Sequence, residues 1–241
     1  MLKDDYGAFA PYYDRLGWNL FAGECAIRLK SFVRLRGTGA ERVLDLACGT
    51  GELEYRLRRT KLKFTGIDIS ARMLLVARGK NPRANFVRAD IASFRLKETF
   101  DIAVCFFDSI NHLPGLPAIK NTFGNVRNHL RPGGFFIFDM LTPDGLIQWE
   151  FFDFKKRKAY TVITSGVYHE KTMTADISIE GFVRTKGAFY KGFRQKITER
   201  TYPFVTIARA LTLAGFKNIT VTAFDPEQPI EKCSRWFIVA S

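Results

Sequence analysis

Apolar and polar positions follow two rhythms along this chain. As far as about residue 141, short apolar runs alternate with stretches of helical period. "RVLDLA" precedes a helical stretch at 52 to 60, and "FTGIDI" precedes one at 71 to 79; then come "NFVRADI", "FDIAVCFF", a helix at 116 to 130, and "GFFIFDM". Strands alternating with helices predict a parallel sheet flanked by helices. Ahead of it, residues 18 to 36 read as an amphipathic helix, with Leu20, Phe21, Ile27, Phe32 and Leu35 facing inward and Arg28, Lys30, Arg34 and Arg36 outward. Beyond residue 150 the period drops to two: "TADISIEGFV" and "AFYKGFRQKITERTY" predict strands with one wet face. "PFVTIARALTLAGF" predicts a helix opened by Pro203 and closed near Gly215, with strands following at 218 to 224 and 235 to 240. No internal repeat or low-complexity linker interrupts the series.

Composition narrows the class. A chain of 241 residues buries a sizeable core and needs no second domain. The opening "MLKDDYGAFA" is charged where a signal peptide is apolar, and no stretch approaches the roughly 20 apolar residues of a membrane span, which predicts a cytoplasmic protein without membrane contact. Cys25, Cys48, Cys105 and Cys233 are far apart, and His112, His129 and His169 lack metal-ligand spacing, so neither a disulfide frame nor a metal site is expected. The net charge of +13 points to acidic partners. It is concentrated between Lys155 and Arg200, where eleven basic residues face four acidic ones.

The richest stretch is "VLDLACGTGEL". A strand ending at Asp45 to Ala47, a turn through Gly49 and Gly51, and a helix form the place where an open α/β sheet binds ligands, outside the carboxyl ends of its strands. A dinucleotide is disfavoured, because the third position of its G-x-G-x-x-G fingerprint is here Glu54, a carboxylate that packs badly and faces a pyrophosphate poorly. A ligand with an adenosine and no phosphates fits better.

Five motifs in order, "VLDLACGTG", "FTGIDIS", "VRADI", "VCFFDSINHL" and "LRPGGFFIFDM", resemble those of class I methyltransferases that use S-adenosylmethionine (SAM). The likeness is close over residues 40 to 141 and extends more weakly to "FAPYYDRLGWNLF" and "LTLAGF…WFIVAS". It implies a Rossmann-like seven-stranded α/β sheet with helices on both faces and a small antiparallel insertion after the fifth strand. The implied parts are an N-terminal helical cap (1–39), a cofactor-binding core (40–148), a substrate cap (149–201) and a closing helix with two strands (202–241).

The resemblance also assigns roles. Ala47, Cys48, Gly49 and Gly51 form the turn beside the methionine part of SAM, where glycine admits backbone angles that other residues resist. Asp45 faces its ammonium, and Asp68 accepts both ribose hydroxyls. Ala89 and Asp90 follow the third strand, with Asp90 accepting from the adenine amino group. Ile69, Met73 and Ile91 sandwich the ring, and Phe106 lies beneath the cofactor. Tyr13, in a "YD" element, covers the cofactor and reaches the reacting groups, while Asp108, Asn111 and His112 lie where acceptors bind. S-adenosylhomocysteine (SAH) would be the product.

The acceptor class follows from what the sequence carries and lacks. The Asn/Asp-Pro-Pro-Tyr-like loop of base-modifying relatives is absent, and "FFDSI" stands in its place. The insertion resembles that of small-molecule N-methyltransferases acting on nucleotide-linked aminosugars and glycine-like amines. The expected acceptor is therefore a small amine or hydroxyl, with an anionic group for the basic insertion to hold. Transfer to RNA or protein, or SAM binding without catalysis, are the alternatives the charge leaves open, and the expected assembly is a monomer or homodimer.

Overall fold

The computed structural model describes residues 6–37 and 39–241. Its elements in chain order begin with α1 (Ala22–Arg36), β1 (Arg42–Leu46), α2 (Glu52–Leu57), β2 (Lys63–Asp68), α3 (Ala71–Lys80) and β3 (Asn85–Arg88). There follow β4 (Phe100–Cys105), α4 (Leu116–His129), β5 (Leu130–Leu141), α5 (Pro143–Ile147), β6 (Phe152–Arg157) and β7 (Tyr160–His169). The chain closes with β8 (Thr174–Arg184), β9 (Tyr190–Arg200), α6 (Phe204–Leu213), β10 (Ile219–Ala223) and β11 (Arg235–Ala240).

Seven strands form one sheet in the order β10-β11-β5-β4-β1-β2-β3. The pairs among β1 to β5 are parallel, whereas β11 runs antiparallel to β5 and to β10. This is the Rossmann-like sheet of class I methyltransferases. The chain winds outward in opposite directions from β1 and β4, so their carboxyl ends mark the crevice where such sheets take ligands. Side-chain alternation builds a layer on each face. Val43, Ile102, Val104 and Ile137 pack with α1 and α2, while Leu44, Leu46, Ala103, Phe136 and Phe138 pack with α4 and α6.

The phase of α1 differs from the sequence expectation. Its buried face is Cys25, Ala26 and Leu29, and Leu20, Ile27 and Leu35 are exposed. Small residues let the helix lie close to the sheet, and that close approach outweighs the pull of the bulkier side chains. Arg28, read as outward, donates to the Phe224 carbonyl and stacks 4.1 Å from the Phe224 ring centroid. The helix starts at Ala22, so it is the turns of residues 6–21 that reach the inserted sheet; α1 itself belongs to the core.

The insertion is an antiparallel meander, β6-β7-β8-β9. Its inner face (Val162, Ile177, Ile179, Val183, Phe193 and Ile197) packs against Phe9, Tyr12, Tyr13, Leu16 and Trp18. Sequence pattern had singled out only its last two strands. β6 carries Lys155, Lys156 and Arg157 in succession and is largely exposed, which hides its periodicity. Among the described residues no helix is long and apolar enough to cross a membrane.

Candidate active site

A cavity of about 900 Å³ opens where β1 and β4 end, between the parallel sheet, the N-terminal turns and β9. It lies near the upper end of the roughly 300–1,000 Å³ usual for small-molecule sites. Of the residues expected to touch cofactor or acceptor, Tyr13, Asp45, Ala47, Cys48, Gly49, Asp68, Ile69 and Met73 line it. Ala89, Asp90, Ile91, Phe106, Asp108 and His112 line it as well.

Gly51 does not. Its added Cβ would meet Asn81 Nδ2 at 2.7 Å and Ala77 and Phe86 at 3.0 and 3.2 Å, so this glycine seats the turn against α3 and β3. Asn111 is likewise spent on scaffold. It donates to the carbonyls of Leu141 and Arg200 and accepts from Leu141 N–H, which ties the end of β9 to the loop after β4.

The glycine turn is built for close approach. Ala47, Gly49 and Gly51 have φ of +56°, +54° and +69°, and an added Cβ at Gly49 meets nothing within 4 Å. The carboxylate of Asp68 holds the turn in place, accepting from Gly49 N–H (2.9 Å) and from Ser70 N–H (2.8 Å). A carboxylate offers about four acceptor sites, so one such group can serve backbone and ligand donors together. Ser70 caps α3 by accepting from Met73 N–H at 3.2 Å, which fixes Met73 beside the cavity. Asp90 accepts from Ala92 N–H at 2.8 Å, a local turn that orients its carboxylate.

A polar latch ties the N-terminal segment to this turn. Thr50 Oγ1 donates to Asp14 (2.7 Å), and Lys80 Nζ reaches Asp14 (2.5 Å) and Glu52 (2.8 Å). Its neighbour Tyr13 thereby comes to line the cavity. Burial, reinforced by Asp108, pushes the Tyr13 phenol up, so it remains a hydrogen-bond donor at neutral pH.

Glu54, the residue that spoils the dinucleotide fingerprint, is 2% exposed and sits beside Asp45. Among the described residues its carboxyl oxygens meet no hydrogen-bond partner besides the Asp45 carboxyl. Burial pushes it up to about 7; burial and the Glu54 carboxyl together raise Asp45 well above the usual carboxylate range. The cofactor turn thus rests on two close carboxyls whose charge a cationic ligand group can compensate.

At the other end of the cavity Phe107 and Asp108, in the loop that follows β4, both have positive φ, +60° and +48°. Asp139, fully buried on β5, accepts the N–H groups of both. Arg235 on β11 bridges Asp139 and Asp108, reaching the latter at 2.6 Å. Burial works against the charge of Asp108, but Arg235 and then His112 hold its carboxyl below the ordinary value. His112 Nε2 lies 3.6 Å from Asp108 Oδ1 and 3.7 Å from Glu199 Oε1. Asp108, His112 and Glu199 therefore offer three ligand-type atoms within 4.8 Å of one another, a grouping the histidine spacing gave no sign of.

Cys48 is buried and its thiol is pushed up by burial, which leaves it a packing residue of the turn. His129 accepts from Leu96 N–H, and His169 pairs with Asp176 on the exposed side of the cap. The basic residues of the insertion divide. Arg184 donates to the Gly187 carbonyl, and Arg194, paired with Glu180, and Lys196, near Asp176, lie on the exposed face of β9, whereas Arg200 at the strand's end lines the cavity.

Comparison with known proteins agrees with this geometry. Residues 43–134 match the family model described as a methyltransferase domain. The chain is 29% identical, over 98% of both proteins, to a putative methyltransferase of Geobacillus sp. (strain WCH70). It is 34% identical, over 45% of this chain and 43% of the relative, to the dTDP-3-amino-3,6-dideoxy-alpha-D-glucopyranose N,N-dimethyltransferase of Streptomyces fradiae. Its fold is similar to that of a S-adenosylmethionine-dependent methyltransferase from Clostridium acetobutylicum ATCC 824, with a TM-score of 0.84 and 25% identity over 98% of each chain. With the glycine turn, the acids after β2 and β3 and the strand order all in one crevice, the chain is a SAM-dependent methyltransferase whose residues 43–134 carry a class I methyltransferase domain.

Proposed function

We propose that the protein methylates an amine nitrogen of a small, anionic acceptor. One observation carries the reading: the part of the cavity away from the glycine turn ends in Asp108, His112 and Glu199, an acidic pocket suited to a cationic amine. The names of relatives that act on dTDP-aminosugars support it. A cavity covered by β9 and the N-terminal turns admits a small acceptor more readily than a folded RNA or protein. Arg200 at the cavity suits the acceptor's anionic group. Four free, buried cysteines suit a reducing cytoplasm.

The cofactor half is read from the same cavity. Asp68 accepts the ribose hydroxyls, Asp90 the adenine amino group, Met73, Ile69 and Ile91 enclose the ring, and Gly49 leaves room for the methionine part. Asp45, with Glu54 behind it, faces the ammonium. Bound SAM supplies an electrophilic methyl on sulfur. The protein's part is to hold the nucleophile in line, close and free of water, which is worth up to roughly 7–11 kcal/mol of the barrier.

Incubation with methyl-labelled SAM and a panel tests the reading. The panel holds dTDP-3-amino-3,6-dideoxyglucose, free aminosugars and small primary amines, each beside its hydroxyl analogue, with RNA and protein pools. Label on an amine and not on its hydroxyl analogue is expected. Label on RNA or protein alone would overturn the reading.

A further inference from the structure

Glu199 is the one carboxylate of the acidic pocket that comes from the cap. It is 3% exposed and lines the cavity, and among the described residues its Oε2 has no hydrogen-bond partner. Leaving a carboxyl oxygen buried and unmet costs stability, of the order of 1–3 kcal/mol. Packing of the cap does not require it, since Phe193 and Ile197 on the same face of β9 meet the N-terminal aromatics through apolar contacts alone. Its place is nevertheless held firmly. Arg200 N–H donates to the Asn111 carbonyl at 2.8 Å, and Asn111 Nδ2 returns a bond to the Arg200 carbonyl at 2.9 Å, so the end of β9 is locked against the loop that carries Asp108 and His112.

We propose that Glu199 binds the acceptor's amine and takes from it the proton that must leave before the methyl group arrives. The inference rests on the reading that the acceptor is an amine. The step balances simply. The Glu199 carboxylate accepts a proton from the ammonium, leaving a carboxyl and a neutral amine. The freed lone pair then forms the N–C bond as the C–S bond breaks and its electron pair stays on sulfur. Between turnovers the carboxyl returns its proton to solvent.

Two features support Glu199 over its neighbours. Asp108 is already engaged by Arg235 at 2.6 Å, and Asp139 by the same guanidinium, so neither is available as a proton acceptor. Burial, and then the Asp108 charge, push Glu199 up to about 8, near the basicity of an aliphatic amine, where proton exchange with the acceptor is nearly level. The same charge balance argues against a divalent cation at Asp108, His112 and Glu199. With Arg235 compensating one of the carboxylates, what remains suits a single positive charge.

The groups facing Glu199 are Asp108 and His112 from the loop after β4, Arg235 from β11, Tyr6 from the N-terminal turns and Trp149 after α5. The test uses whichever amine accepts label in the panel above, with dTDP-3-amino-3,6-dideoxyglucose the first probe. Glu199→Gln is expected to bind SAH within twofold of wild type and to lose at least about 100-fold in kcat/KM at pH 7. The rise of kcat/KM through about pH 8 should disappear, and the loss should shrink at higher pH as free amine accumulates. Glu199→Asp should recover part of the activity. An amine methylated by Glu199→Gln within threefold of the wild-type rate, with an unchanged pH profile, would overturn this inference and leave the amine reading standing. No amine methylated by the wild-type protein would overturn both.

Discussion

The carboxylate of Asp139 accepts the backbone N–H groups of both Phe107 and Asp108, at 2.7 and 3.1 Å, from a site with no solvent exposure. Two consecutive residues at positive φ are costly, and they persist because this clamp and Arg235 hold them. Removing the clamp also takes one of its two carboxylate partners from Arg235, which keeps only Asp108. Asp139→Ala should therefore cost roughly 3–5 kcal/mol of stability in urea unfolding, the usual range for breaking a buried pair. A loss below about 1 kcal/mol would mean that the turn holds itself.

The two glycines of the turn should fail in different ways. Gly49→Val places its side chain where nothing stands within 4 Å and where the cofactor is read to lie; the backbone strain at a φ of +54° lowers stability, but the chain should remain folded by circular dichroism while SAM binding disappears in calorimetry. Gly51→Ala meets Asn81, Ala77 and Phe86 at a φ of +69°, and should lower stability by roughly 1–3 kcal/mol before binding is considered. Equal melting temperatures with lost binding in both would remove the distinction.

Much of this was legible in the sequence, because a doubly wound sheet buries its parallel strands on both faces and sets its turn residues between them. The alternation of strands and helices follows from that, and the resemblance of the motifs at the strand ends supplied Gly49, Asp68 and Asp90. The phase of α1 did not follow, because two of its three buried residues, Cys25 and Ala26, are small and weigh little in the apolar pattern. Asp139 and Arg235 gave no local signal: they are brought together by the antiparallel pairing of β5 with β11. Glu199 did carry a signal. It falls on the same alternation as Phe193, Gln195 and Ile197, all buried, so the period of two already placed this acid on the inner face.

Stability of the cofactor-free protein should fall as pH rises from about 5 to about 8. Glu54 at about 7 and Glu199 at about 8 are both raised above their unfolded values, so the folded state holds more protons than the unfolded state across this window. Stability from such groups is complete below the unfolded value and is lost as pH climbs through the folded one. Glu54→Gln should flatten its share of the decline, worth roughly 1–3 kcal/mol at pH 8 by urea unfolding. A parallel decline in wild type and variant would place the titration elsewhere.

The basic insertion should divide functionally as it does spatially. Arg200→Ala, at the cavity, should raise KM for an anionic acceptor by roughly 3- to 10-fold, whereas Arg194→Ala, paired with Glu180 on the outer face, should leave it unchanged. Steady-state kinetics with charged and uncharged forms of one acceptor would check this. An equal effect of both variants would point to a diffuse field.

The central claim is that the crevice where β1 and β4 end, with Asp68 at its floor, is the SAM site. Calorimetric titration of SAM into the wild-type protein and Asp68→Ala tests it most directly. Loss of charge-assisted bonds to the ribose should weaken binding by roughly 1.5–3 kcal/mol, about 10- to 150-fold in Kd, while Asp68→Asn should retain part of the affinity through its remaining acceptor. Unchanged affinity in a folded Asp68→Ala protein would contradict the claim.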